Sequence, residues 1–127
     1  MNYSIGDFSN ITNISPSALR YYEKEQLIIV HRDSAGRRLF TAEDIDWIFF
    51  IKKLKDTGMP IKDIREYALL RYQGDCTIQQ RLKILEVQKL VVEKEKAKWE
   101  SNLQNLNDKI EIYKNKLNSK ESKASLY

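Results

Sequence analysis

The sequence has little of the chemistry on which most enzymes and metalloproteins depend. It contains one cysteine, Cys76, and one histidine, His31, in 127 residues. A single cysteine excludes an intrachain disulfide and a multi-thiol zinc site, and a single histidine argues against a histidine-based metal or catalytic cluster. We therefore expect no enzymatic activity and no cofactor or metal ion.

Long apolar runs are also missing from the sequence. No stretch of apolar residues is long enough to span a bilayer, and no basic segment followed by an apolar one resembles a secretion signal at the N-terminus. Together with the single thiol, these features predict a cytoplasmic protein with no membrane partner.

The formal net charge of +4 is distributed unevenly along the chain. Residues 1–75 carry eleven basic and eleven acidic side chains, whereas residues 76–127 carry eleven basic and seven acidic ones. The front segment is therefore neutral as a whole. It can bind nucleic acid only if its basic groups are segregated onto one face.

Two helix start signals near the N-terminus predict a helix-turn-helix. The segment Ser4–Asp7 resembles a capping box and opens a helix to about Ile11. Ser15 and the proline after it suit the cap and first position of a second helix, which runs to about Lys24. Two short helices joined by a turn of three or four residues make a motif whose second helix enters the major groove of DNA.

The second helix carries two adjacent tyrosines, Tyr21 and Tyr22, next to Arg20. Neighbouring residues on a helix point about 100° apart, so both rings cannot lie deep in a small core. At least one phenol is expected at the surface, where it can donate a hydrogen bond to a phosphate.

The next segments predict a basic hairpin and a pair of helices. The β-branched run Leu27–Arg32 and the segment Arg37–Phe40 flank the turn Asp33–Gly36, as expected of two paired strands. A helix then starts at Thr41–Asp44 and stops at Gly58, and a second one runs from Pro60 to about Gly74. The apolar face of the first of these helices is expected to contain Ile45, Ile48, Phe49 and Ile51.

The last third of the chain has a strict 4-3 spacing of apolar residues, which is typical of a coiled coil. Only Lys89 and Lys96 break the apolar rule, and the row comprises Ile78, Leu82, Leu85, Lys89, Val92, Lys96, Trp99, Leu103, Leu106, Ile110, Tyr113 and Leu117. A helix of about 60 Å, at ~1.5 Å per residue, cannot bury this row on so small a domain, although the part from Ile78 to Leu85 could pack against the front segment. We expect a DNA-binding domain at residues 1–75, a dimerisation helix at 76–118 and a flexible tail at 119–127.

These segments together resemble the MerR family of bacterial transcription regulators. The resemblance rests on Tyr3–Ile28, with the run LRYYE, on Arg32–Ile64, with GRRLF and DTGMPIKDI, and on the terminal heptads. It covers nearly the whole chain and is more distinctive than a helix-turn-helix alone. It implies a mainly α fold, with a winged helix-turn-helix DNA-binding domain followed by a long dimerising antiparallel coiled-coil helix.

The resemblance also implies which residues contact DNA. These are Ser17, Arg20, Tyr21 and Tyr22 on the second helix, Arg37 and Arg38 on the wing, and Lys62 at the start of the last helix of the pair. Of the two tyrosines, Tyr22 is favoured. Neighbours on a strand point to opposite faces, so only one of the two wing arginines is expected to point at DNA. Arg38 is favoured over Arg37 because it stands at the family's wing-arginine position. The alternatives are that Tyr21 packs in the core while Tyr22 lines a surface groove, and that the arginines are a solvated charge run.

The family pairs its terminal helices antiparallel, which implies a dimer interface of Leu82, Leu85, Val92, Trp99, Leu103, Leu106, Ile110 and Tyr113. The implied function is regulation of transcription by a homodimer. It binds a pseudo-palindromic site in double-stranded promoter DNA, distorts that DNA in response to a signal, and acts on RNA polymerase indirectly through the promoter. Two alternatives remain open at this point: a coiled-coil adaptor for another protein, and an architectural DNA-binding protein without a regulatory role.

The regulatory signal is the part that the sequence describes least. The chain is similar to the short members of the family that respond to aldehyde or thiol stress, but Lys53 stands about where those members have a reactive cysteine. Cys76 is the candidate sensor, and the alternative is an inert, partly buried thiol. A small apolar effector between the front helices and the dimer helix of the partner copy is a further hypothesis.

Overall fold

The structure is a computed structural model that describes residues 1–119. The elements in chain order are β1 (Asn2–Tyr3), α1 (Ile5–Thr12), α2 (Pro16–Lys24), β2 (His31–Arg32), β3 (Arg38–Thr41), α3 (Ala42–Asp56), α4 (Ile61–Gln73), a 3-10 turn (Asp75–Thr77) and α5 (Ile78–Ser119). This architecture confirms the mainly helical fold with a small wing and a long C-terminal helix. Except for Ser119, the expected flexible tail lies outside the described residues.

The chain divides into two compact units, Met1–Gln88 and a second that begins at Lys89. Ile84 and Leu85 near the start of α5 pack against the core of the first unit, and the expected functional boundary after residue 75 stays a prediction. The expectation that the first part of the heptad row packs within the chain therefore holds for Leu85. In the described part of the second unit, α5 continues to Ser119.

The helix-turn-helix forms where the start signals predict it. The Ser4 hydroxyl accepts a hydrogen bond from the Asp7 N–H at 3.1 Å, and the Ser15 hydroxyl accepts one from the Ala18 N–H at 3.1 Å. Between the two helices Asn13 has a φ of 57°, in the left-handed region that asparagine tolerates better than most residues. These local bonds begin α1 and α2 and reverse the chain between them.

A three-stranded antiparallel sheet, in the order β1-β3-β2, forms the wing. Tyr3 pairs with Phe40 and Arg32 pairs with Arg38. The sequence did not predict β1, which is only two residues long. The predicted strand Leu27–Arg32 is wrong except for its last two residues, because the adjacent Leu27 and Ile28 are both buried and a strand alternates its faces.

The core of the first unit joins the helix-turn-helix to the wing. The rings of Phe8 on α1 and Phe40 on β3 are stacked with centroids 4.4 Å apart, and both residues are fully buried. From α3 the core receives Trp47, Ile48, Ile51 and Leu54. The expectation that Phe49 belongs to this face is wrong, since it lies about 100° from Ile48 around the helix and is 37% exposed.

We predict that Phe8→Ala lowers the free energy of unfolding by about 3–5 kcal/mol, because it removes a buried ring and leaves a cavity against Phe40. The matched control is Ile11→Ala on the same helix, where the side chain is 47% exposed and the expected change is within about 0.5 kcal/mol. Urea unfolding followed by circular dichroism measures both. Equal losses for the two variants would contradict the prediction.

Candidate nucleic-acid interface

The second helix of the helix-turn-helix, α2, is held in place by the segment that follows it. Trp47 Nε1 donates a buried hydrogen bond of 2.9 Å to the Leu27 carbonyl. Arg65 Nε donates one of 2.9 Å to the Glu25 carbonyl, and the Arg65 guanidinium also forms an ion pair with the Glu25 carboxylate. Because Trp47 lies on α3 and Arg65 on α4, these bonds determine how α2 is presented on the surface.

A further bond holds the entry to the wing. The Tyr72 hydroxyl, near the end of α4, accepts a hydrogen bond of 3.0 Å from the Ile29 N–H. Burial raises the pKa of Tyr72 above its usual value, partly opposed by this bond, so the phenol stays neutral at physiological pH. The Arg71 guanidinium lies 4.4 Å from the Trp47 ring centroid and 5.0 Å from that of Tyr72. Through these contacts Trp47, Tyr72 and Arg71 stabilise the fold at the entry to the wing.

The structure reverses the exposure that we expected for the tyrosine pair on α2. Tyr21 is 41% exposed, whereas Tyr22 is only 7% exposed. Leu19 and Tyr22 are three residues apart and therefore share the buried face of the helix. The Tyr22 hydroxyl still reaches the edge of the core, where Lys55 Nζ donates a part-buried hydrogen bond of 3.3 Å to it. Ser17 and Arg20 are exposed, as expected.

Glu23 is a residue whose role sequence reasoning missed. Its carboxylate accepts a hydrogen bond of 2.9 Å from Arg38 Nε and bonds of 3.2 and 3.3 Å from an amino group of Arg32. The carboxylate therefore ties α2 to both strands of the wing hairpin. No local pattern indicates this contact, because Glu23 and Arg38 are fifteen residues apart and meet only in the folded chain.

The two wing arginines also differ from expectation. The side chain of Arg38 is 25% exposed and paired with Glu23, whereas that of Arg37 is 80% exposed. Strand alternation does send the neighbours to opposite faces, but α2 lies on the face of Arg38 and supplies an acidic partner there. Arg37 is consequently the more exposed arginine of the wing, opposite to the predicted preference for Arg38.

The wing turn is built around Asp33. One carboxylate oxygen accepts hydrogen bonds of 2.9 Å from the N–H groups of Ala35 and Arg37, and the other accepts one of 3.0 Å from Arg37 Nε. These bonds, with the Arg37 N–H as the largest cause, lower the pKa of Asp33, so the carboxylate stays ionised at neutral pH. Gly36, with a φ of 81°, completes the turn.

A second candidate contact lies at the junction of α3 and α4. Lys62 is exposed in the first turn of α4, two residues after the cap residue Pro60. Gln88 Nε2 donates a hydrogen bond of 3.0 Å to the Thr57 carbonyl, which links this junction to α5 within the first unit. Gly58, with a φ of 84°, allows the chain to reverse there.

Apart from Leu85, the residues expected at a dimer interface form an exposed row on α5. Leu85 is partly buried and packs against the core of the first unit, and Leu82 is 52% exposed. In the second unit all the expected interface residues are exposed: Val92, Trp99, Leu103, Leu106, Ile110 and Tyr113. The described chain thus leaves a long apolar row uncovered.

The candidate sensor Cys76 is exposed, and its thiol donates a long contact of 3.8 Å to the Gln73 carbonyl. Arg81 on α5 donates hydrogen bonds to the Thr77 hydroxyl and the Gly74 carbonyl. Among residues 1–119 no group of three or more potential metal ligands lies together. In the same range no helix has the length and apolar character needed to cross a membrane.

The chain is similar to known transcription regulators over nearly its whole length. An HTH-type transcriptional regulator of Haemophilus influenzae is 37% identical over 114 residues, which cover 89% of this chain and 84% of that protein. The HTH-type transcriptional regulator ZntR of Escherichia coli K12 is 32% identical over 111 residues, 84% of this chain and 79% of ZntR. AdhR of Bacillus subtilis is 41% identical over 73 residues, 57% of this chain and 52% of AdhR.

Solved structures show the same similarity. HiNmlR, a MerR family regulator lacking the sensor domain and bound to promoter DNA, superposes with a TM-score of 0.76 at 36% identity, over 91% of this chain and 93% of HiNmlR. A MerR family transcriptional regulator from Listeria monocytogenes has a TM-score of 0.82 at 30% identity, over 91% and 88% of the two chains. The model of the family described as MerR HTH family regulatory protein matches residues 3–70, more than half of this chain. The chain therefore belongs to the MerR family of helix-turn-helix transcription regulators.

Proposed function

We propose that this chain is a homodimeric regulator that binds a pseudo-palindromic promoter site and distorts the DNA in response to a signal. The observation that carries the proposal is the outward face of α2. Ser17, Arg20 and Tyr21 are exposed there, while Glu23, the one acidic residue of α2, is bound to two wing arginines. The second helix of a helix-turn-helix is the element that enters the major groove.

The charge distribution supports a DNA-binding face on a segment that is neutral overall. Glu23, Glu25 and Asp33 are each paired with an arginine inside the domain. This pairing neutralises acidic groups near α2 and the wing, which lowers the repulsion that phosphates would meet there. Arg20 is exposed, and Arg37, although paired with Asp33, keeps most of its side chain exposed, so both would be within reach of phosphates. Lys62 and the N–H groups of the first turn of α4 would add a phosphate contact on the other side.

The tyrosines have different roles in this proposal. The exposed Tyr21 ring contacts the sugar–phosphate backbone. Tyr22 acts through its hydroxyl alone: Lys55 donates to the phenol oxygen, which leaves the phenolic proton free to be donated to a phosphate. Phosphate contacts of this kind position a protein on DNA, whereas Arg20 and Ser17 are placed to read base edges.

The assembly that we propose is a homodimer through residues 76–118, with residues 1–75 as the DNA-binding domain. The uncovered apolar row on α5 supports this assignment, because solvent exposure of so many large apolar side chains is unfavourable. Two copies present two recognition helices related by a two-fold axis, which fits a pseudo-palindromic site. Regulation then works through the energy of DNA deformation, and RNA polymerase is affected only through the promoter.

The similarity to HiNmlR supports promoter DNA as the ligand, because that protein was crystallised on promoter DNA and lacks a sensor domain. The proposal places the protein in the cytoplasm, without enzymatic activity. Cys76 stays a candidate sensor on the strength of its exposure, and a small-molecule effector is the other source of a signal.

Selection of random genomic fragments by the purified protein, at near-physiological salt, tests the proposed function. We expect one dyad-symmetric site, bound about 10³-fold or more tightly than unrelated DNA, between promoter elements set unusually far apart. Retained fragments without a common site would favour an architectural protein. No salt-dependent retention at all would favour a protein-binding adaptor.

We predict that Arg20→Ala weakens binding to the selected site by about tenfold or more, because it removes a contact of about 1–3 kcal/mol from the recognition helix. Lys52→Ala is the matched control, since it removes the same charge from an exposed position on α3 to which the proposal assigns no DNA contact. Fluorescence anisotropy titrations at several salt concentrations measure both. An equal effect of the two substitutions would contradict a specific role for Arg20.

Substitutions of the two wing arginines are expected to differ in effect: one lowers DNA affinity and the other lowers the stability of the fold. Arg37→Ala is expected to weaken DNA binding with a change in unfolding free energy within about 0.5 kcal/mol, because its side chain is largely exposed. Arg38→Ala is expected to cost about 1 kcal/mol or more of stability, because it breaks a charge-assisted bond to Glu23. Thermal unfolding and anisotropy on the same samples test this, and a stability loss confined to Arg37→Ala would contradict it.

A further inference from the structure

The heptad row on α5 contains two charged residues, Lys89 and Lys96, in the second unit of the chain. In the usual heptad notation position a is followed by position d after three residues, and d by the next a after four. Both lysines occupy a positions. The d positions are without exception apolar: Ile78, Leu85, Val92, Trp99, Leu106 and Tyr113.

The orientation of two paired copies decides what each lysine meets. In a symmetric parallel pair every residue lies opposite itself, so a meets a and d meets d. In an antiparallel pair the spacing runs in opposite directions on the two helices, and each a position lies opposite a d position of the partner. This holds for every register that keeps the apolar row together.

A parallel pair therefore brings like charges together in the core. Each of the two lysines would face the identical lysine of the other copy. In the second unit the flanking positions add to the repulsion, because each residue at position g faces the partner's residue five positions later, at e, across a parallel seam. Glu95 would then face the partner's Glu100, and Lys109 would face the partner's Lys114.

An antiparallel pair gives each lysine an apolar neighbour. The aliphatic stem of a lysine can cover an apolar or aromatic side chain while its ammonium extends to the edge of the interface. Lys96 already has this form: its Nζ lies 3.8 Å from a carboxylate oxygen of Glu100, at the flanking e position of the same helix. The ammonium thus reaches out of the apolar row, and its stem remains available for the partner.

We propose that Lys89 and Lys96 are the orientation-determining residues of the dimer: they exclude the parallel pair and select the antiparallel one. The proposal rests on the homodimer of the proposed function. It goes beyond it by assigning the choice of orientation to two side chains of α5, not to the connection with the DNA-binding domain.

Energy transfer between labelled full-length chains tests the proposal. One chain carries a donor on Cys76, which is exposed, and a second carries an acceptor on Glu111→Cys in a Cys76→Ser background. A helix of 35 residues, the separation of the two labelled positions, is about 50 Å long at ~1.5 Å per residue. Antiparallel pairs that overlap over the whole proposed interface, residues 76–118, bring donor and acceptor together in this mixture. Parallel pairs give transfer only between two chains that are both labelled at residue 111.

We expect the unmodified row to give transfer in the mixed-label sample and little in the sample labelled only at residue 111. In Lys89→Leu/Lys96→Leu the ratio of parallel to antiparallel pairs should rise about tenfold or more. The matched control is Lys94→Leu/Lys98→Leu, which changes two outward-facing lysines of the same segment and should leave the ratio unchanged. Lys89→Gln/Lys96→Gln removes the charges without adding apolar surface and should raise the ratio as well.

Three outcomes would overturn the proposal. If the ratio stays the same in both row variants, or rises equally in the control, the two lysines do not choose the orientation, and the homodimer itself still stands. If the unmodified chain forms parallel pairs, the two lysines do not select the antiparallel orientation. If sedimentation shows a monomer at micromolar concentration and neither sample gives transfer, the proposed homodimer fails, and the orientation proposal fails with it.

Discussion

The stacked rings of Phe8 and Phe40 are the contact on which the front unit depends. Phe8 comes from the first helix of the helix-turn-helix and Phe40 from the central strand of the wing, so one buried pair joins the two parts that flank the recognition helix. Close packing in protein interiors transmits small displacements to neighbouring groups. A shift at this contact would therefore move α1 against the wing, and with it the surface that α2 presents.

Ion pairs and charge-assisted hydrogen bonds orient the wing on the packed core. The Glu23 carboxylate binds Arg32 and Arg38, and the Asp33 carboxylate organises the wing turn. Each of these acidic groups is used inside the domain, where it orients a basic strand or turn. A domain with equal numbers of acidic and basic side chains can in this way keep a basic face, because the pairing is spatial and net charge does not report it.

The two units of the chain differ in how their apolar residues are satisfied. In the front unit, side chains from α1 to α4 and the wing cover one another, and Ile84 and Leu85 of α5 add to that core. In the second unit, α5 has its apolar row exposed along the described residues. A helix in water gains most of its stability from tertiary packing of its apolar face, so this row is the observation that supports the proposed homodimer.

By itself the sequence determined the elements whose signals are local. The caps at Ser4 and Ser15, the turn at Asp33–Gly36 and the 4-3 row on α5 each depend on residues a few positions apart, and the family resemblance rests on the same runs. Only the tertiary structure decided which tyrosine of α2 is buried, that Arg38 binds Glu23 while Arg37 stays exposed, and that Leu27 leaves the predicted strand for the core. The physical reason is the same in each case. Periodicity gives the direction of a side chain relative to its own helix or strand, but the neighbour that it meets comes from a distant part of the chain, and only folding brings the two together.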